Sequence, residues 1–114
     1  MVKVAVLVSG GGTNLQALID EFNLGTINGE IKLVISNRKN AYGLVRAQKA
    51  GIKNMCIKDQ DELLKTLKEE GIELVVLAGY LAIISYELIK EYENRIINIH
   101  PSLIPSFCGM GYYG

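Results

Sequence analysis

There is no tryptophan in this sequence, a single histidine at position 100, two prolines and two cysteines. Cys56 and Cys108 lie far apart and form neither a C-x-x-C pair nor a zinc pattern. No metal is therefore expected, and both thiols read as reduced, in a cytoplasmic protein. Charge of one sign is not in excess either: 12 basic residues meet 12 acidic ones and the formal net charge is zero. That argues against nucleic acid as a partner. No signal peptide and no long apolar span is visible, so no membrane is expected. Repeats and low-complexity stretches are missing too. What remains is 114 residues, 49% apolar and 21% charged, which fits one domain with a real core.

The apolar residues fall into a repeating order. Residues 2–8 are nearly all apolar and β-branched, broken only by Lys3, as in a strand buried on both faces. Leu15, Leu18, Ile19 and Phe22 then share one helical face. Residues 31–36 form a second strand. Asn40 is expected to cap a helix carrying Leu44, Val45 and Ala47, with Gly51 ending it. A weaker strand covers 53–57. Asp59 and Glu62 open the next helix, Leu63, Leu64 and Leu67 form its face, and Gly71 stops it. A fourth strand spans 73–78, and Ser85 caps a short helix with Ile84 and Ile89 spaced as a hydrophobic staple. Residues 95–99 are the fifth strand. Such alternation predicts an α/β fold: a doubly wound, Rossmann-like parallel sheet of about five strands, order 3-2-1-4-5. The loops after strands 1, 4 and 5 would then converge at the sheet's carboxyl edge.

Three stretches there can carry chemistry. Gly10, Gly11, Gly12, Thr13 and Asn14 join a buried strand to a helix. Free N–H groups and partial positive charge at a helix start suit a phosphate, and glycines let it come close. A tight turn with a Thr or Asn cap is the plainer alternative, but a turn rarely needs three successive glycines. The spacing places Leu15 where a dinucleotide fingerprint wants Gly or Ala, and no acidic residue ends strand 2. Arg38 keeps an NADP-dependent oxidoreductase as an alternative. The second stretch, Leu81, Ala82, Ile83 and Ile84, is apolar at the mouth of the site; it either lines a pocket for a flat heterocycle or leads into the next helix. In the third, alternation puts Asn98 and His100 on one strand face, and Pro101 ends the strand. Cys108, eight residues beyond His100, permits a Cys–His pair, but nothing lowers its pKa and it reads as an idle thiol.

Together, the runs from Val6 to Ala17, Val75 to Tyr80 and Asn98 to Pro105 resemble the formyltransferases that use 10-formyltetrahydrofolate. Asn98-Ile99-His100-Pro101-Ser102 matches the broad group; Ser9-Gly10-Gly11-Gly12-Thr13-Asn14-Leu15 points to the members acting on glycinamide ribonucleotide in purine biosynthesis. The resemblance implies that Gly12, Thr13 and Asn14 hold the substrate phosphate. It implies that Leu81, Ala82, Ile83, Ile84 and Asn98 contact the folate, and that Asn98 and His100 are catalytic, His100 as proton donor. The expected activity is formyl transfer from 10-formyltetrahydrofolate, a co-substrate, to 5-phosphoribosylglycinamide. Hydrolysis of the formyl donor and a non-catalytic nucleotide-binding module are further alternatives. The Arg with which the family contacts folate has no clear counterpart; Lys58 is the nearest residue. The family also continues for nearly as long again past Pro105 and carries a catalytic Asp there. Residues 1–114 are accordingly expected to be the N-terminal part of one formyltransferase domain, inactive alone, with the apolar, glycine-rich residues 107–114 an interior loop cut open. The small-molecule partners carry no signal for an oligomeric state.

Overall fold

A computed structural model describes residues 1–99 and the backbone of 112–113. The strands are β1 (Val2–Val8), β2 (Gly29–Ser36), β3 (Lys53–Cys56), β4 (Leu74–Leu77), β5 (Ile96–Asn98) and β6 (Tyr112–Tyr113). Between them lie α1 (Thr13–Asn23), α2 (Tyr42–Lys49), α3 (Gln60–Glu69) and α4 (Tyr86–Glu91). The sheet order is β3-β2-β1-β4-β5-β6, with the first five strands parallel and β6 antiparallel to β5. The expected 3-2-1-4-5 order is present, with β1 and β4 flanking the point where it reverses.

Burial on both faces follows from the alternation of β1. Val4, Val6 and Val8 enter a core with Leu15 and Ile19 of α1 and Ala47 of α2. Ala5 and Leu7 enter the opposite core with Leu63 and Leu67 of α3 and Leu88 of α4. Each of these Val, Leu and Ile side chains, fully buried, contributes roughly 1.5–3 kcal/mol. Helix ends largely match their sequence signals. Asp59 accepts the Glu62 N–H at 2.9 Å and Ser85 accepts the Leu88 N–H at 3.2 Å, both as N-caps. Gly51 and Gly71 take φ of 74° and 70° just beyond α2 and α3.

Three expectations are corrected. Asn40 does not cap α2: the N-cap is Ala41, and no side chain caps this end. Instead the Gly43 N–H, in the first turn, donates to the Gly10 carbonyl at 3.0 Å, so the loop after β1 satisfies it. Strand β2 begins at Gly29, two residues early, because Gly29 and Glu30 still pair with Val2 and Lys3. The stretch expected to be an opened loop contains β6, whose Tyr113 and Tyr112 pair with Ile96 and Ile97. The open edge of β5 recruits it through unpaired main-chain groups, and two residues are too few to show alternation.

Candidate functional site

Loops leaving β1 and β4 meet at the carboxyl edge of the sheet. Gly10, Gly11, Gly12, Thr13, Asn14, Ala78 and Gly79 line a cavity of about 140 Å³ there. A pocket for a drug-sized ligand holds roughly 300–1,000 Å³; this one takes a single small group. The start of α1 faces it. Gly12 is the N-cap, no side chain caps the helix, and no acidic residue lies in its first turn. The first-turn N–H groups therefore keep their partial positive charge for a ligand.

The three glycines differ in what they are for. A Cβ at Gly10 or Gly11 would meet nothing within 4 Å. A Cβ at Gly12 would lie 2.7 Å from the Gly43 Cα, and Gly12 sits at φ 76°. Gly12 thus lets the loop close against α2, and the open side of the loop belongs to Gly10 and Gly11. Arg46, one turn after Gly43, donates from Nε to the Gly11 carbonyl at 2.7 Å and from Nη1 to Gln16 Oε1 at 3.4 Å.

A second joint ties the loops together. Ser9, buried at 1% exposure, donates through Oγ to Asn37 Oδ1 at 2.6 Å and accepts the Leu81 N–H at 2.8 Å. One hydroxyl thus links the ends of β1, β2 and β4. Gln60 closes the far side: its Nε2 donates to the Tyr80 hydroxyl at 3.3 Å and its Oε1 accepts the Ser85 N–H at 2.9 Å. Burial pushes the Tyr80 pKa up, against the pull of the Gln60 hydrogen bond. Between these clamps Leu81 and Ile83 stand 66% and 89% exposed, while Ile84 packs on the α3–α4 core. The apolar stretch is thus divided: Ile84 leads into α4, and Leu81 and Ile83 face outward. Ala82 is partly exposed.

Asn98 ends β5 beside Leu77 and is partly buried. Alternation puts it on the face of Ile96, the α3–α4 face on which Tyr80 and Ile84 also pack. His100 and Cys108 lie outside the described residues. Arg38 is exposed, and its N–H donates to Ser36 Oγ at 3.0 Å within its own turn. Lys58 is exposed, as are Asp61 and Glu87 on α3 and α4.

The sequence reading named Ser9 only as part of the glycine-loop motif, without the role of its hydroxyl, and missed Arg46 and Gln60. Ser9 had a signal, a lone hydroxyl at the end of a strand that is apolar from Val4 to Val8. Arg46 had a fainter one, its one-turn spacing from Gly43. Gln60 had none.

The formyl transferase family pattern matches residues 2–113. The chain belongs to the formyl transferase family. Phosphoribosylglycinamide formyltransferase of Haemophilus influenzae is 42% identical over 99% of this chain, and the Escherichia coli enzyme of that name is 37% identical over 95% of it. The crystal structure of glycinamide ribonucleotide transformylase 1 from Symbiobacterium toebii superposes with a TM-score of 0.87 at 40% identity, over 94% of this chain. The formyl transferase chain spans 58%, 55% and 55% of the lengths of these three proteins. Nothing in this family membership supports the oxidoreductase alternative.

Proposed function

We propose that this chain carries the phosphate site and the formyl-transfer centre of a glycinamide ribonucleotide formyltransferase of purine biosynthesis. The observation that supports it most is the small cavity at the start of α1, lined by Gly10 to Asn14 and closed by Ala78 and Gly79. It suits one phosphate group, bound by the backbone around Gly12, Thr13 and Asn14. Leu81 and Ile83, apolar and exposed, with Ala82 and Ile84 in the same stretch, suit the flat ring of 10-formyltetrahydrofolate, and Asn98 at the end of β5 is the further contact proposed for it. The amine of the bound glycinamide attacks the formyl carbon and a tetrahedral oxyanion forms. The Asn98 amide donates a hydrogen bond to that oxygen. His100 gives a proton to the departing folate nitrogen, and the attacking amine releases one, so the proton balance closes.

The site is read as one part of a single domain and the protein as cytoplasmic. Among the described residues no helix is long and apolar enough to cross a membrane. The test is a formyl-transfer assay on an enzyme joining this chain to the remaining length of one of its relatives. Loss of formyl donor should require glycinamide ribonucleotide and yield its formylated product. Equal consumption without the ribonucleotide would make the protein a formyltetrahydrofolate hydrolase instead.

A further inference from the structure

The phosphate loop does not hold its own shape; α2 holds it. The Gly10 carbonyl accepts the Gly43 N–H at 3.0 Å, and the Gly11 carbonyl accepts Arg46 Nε at 2.7 Å. No peptide bond among the described residues is cis. In a trans peptide the carbonyl of one residue and the N–H of the next point opposite ways. Turning the Gly10 and Gly11 carbonyls toward α2 therefore turns the Gly11 and Gly12 N–H groups away from it, to the open side of the loop. A guanidinium is well suited to that grip. It is always charged, and its planar donors are fixed in place. Here it is braced further by Gln16 Oε1 and by the Tyr42 ring, whose centroid lies 5.0 Å from Cζ.

We propose that Arg46 is a positioning residue for anion binding: it orients the Gly11–Gly12 peptide so that its N–H faces the substrate phosphate. This rests on the phosphate reading of the loop given above. Arg46 acts through the main chain, so its effect falls on any phosphate bound there, whatever the rest of the ligand.

The experiment uses the ¹⁵N-labelled chain and its Arg46→Gln and Arg46→Lys variants, titrated with inorganic phosphate and with glycinamide ribonucleotide. Arg46→Gln is expected to weaken both ligands alike, by about tenfold, as for the loss of one charge-assisted hydrogen bond. Before any ligand is added, the Gly11 and Gly12 amide resonances should already have moved, while those of α3 stay in place. A merely structural loss would shift resonances throughout. Arg46→Lys keeps a charged donor and should recover part of the affinity; it also serves should Arg46→Gln fail to fold. Undiminished phosphate binding by Arg46→Gln, with Gly11 and Gly12 resonances unmoved, overturns the role of Arg46 and leaves the phosphate site standing. If the unaltered chain binds neither ligand at this loop, the phosphate reading falls and this inference falls with it.

Discussion

The Ser9 hydroxyl accepts the main-chain N–H of Leu81 across a separation of 72 residues, at 2.8 Å. Through this one bond the position of the exposed apolar stretch depends on the last residue before the glycine loop. The two halves of the candidate site are therefore coupled by a buried side chain.

Replacing that side chain tests the coupling. Ser9→Ala leaves the Leu81 N–H and Asn37 Oδ1 without this partner, at a cost of about 1–3 kcal/mol. Denaturant unfolding should record that loss. Hydrogen exchange at Leu81 should accelerate more than at residues of α2.

Glycine replacements in the loop are expected to separate. Gly12→Ala puts a Cβ against Gly43 at a left-handed φ and should lose on the order of 2 kcal/mol of stability. Gly11→Ala meets nothing within 4 Å; its stability should stay within about 0.5 kcal/mol of the original. Its phosphate affinity should nonetheless drop about tenfold, ~1.4 kcal/mol, because the added methyl group occupies the ligand's side of the loop. Thermal unfolding beside calorimetric titration distinguishes the two.

Alkaline pH should weaken the fold partly through Tyr92. Its buried hydroxyl donates to the Ile72 carbonyl at 3.0 Å, and burial pushes its pKa up, with Arg95 opposing. The folded chain thus keeps this proton to higher pH than the unfolded chain does. The resulting stability is complete below the unfolded tyrosine pKa of about 10 and is lost as pH rises through the higher folded value. Tyr92→Phe should cost about 1 kcal/mol at neutral pH. Its denaturation midpoint should then fall less steeply above about pH 10 than that of the parent.

The chemical residues need a longer protein for their test. A histidine with an ordinary pKa near 6.5 is mostly neutral at pH 7 and needs a carboxylate to stay protonated. This chain spans 55–58% of the lengths of the Haemophilus influenzae, Escherichia coli and Symbiobacterium toebii proteins, and alone it is expected to show essentially no formyl transfer. In the joined enzyme, Asn98→Ala and His100→Ala should each lower kcat on the order of a hundredfold or more. Near-normal turnover in either variant removes that residue from the mechanism.

The sheet order was legible because β1 and β4 are nearly unbroken apolar runs and because helix stops such as Gly51 and Gly71 are local signals. The glycine loop was legible as a candidate site for the same reason, since its backbone freedom is written in three adjacent letters, and the structure places a small cavity there. What could not be read was anything made by tertiary approach. Asn40 looked like a cap because its residue type is right, yet α2 takes a carbonyl from the β1 loop instead. Gly12 looked like a glycine for the ligand, and the structure shows it as the glycine that lets the loop close against Gly43. Ser9, Gln60 and Arg46 act on segments 28 to 72, 20 to 25 and 30 to 35 positions away respectively. In the sequence each is one polar letter among many.

The central claim is that the loop after β1 receives the phosphate of glycinamide ribonucleotide. The most direct measurement is a titration of the ¹⁵N-labelled chain with glycinamide ribonucleotide and, separately, with NADPH, following the amide resonances of residues 10–14 and 36–39. The ribonucleotide should move residues 10–14 saturably, in competition with inorganic phosphate, while NADPH moves neither segment. Saturable shifts around Arg38 with NADPH, and none at the glycine loop with the ribonucleotide, would contradict the account.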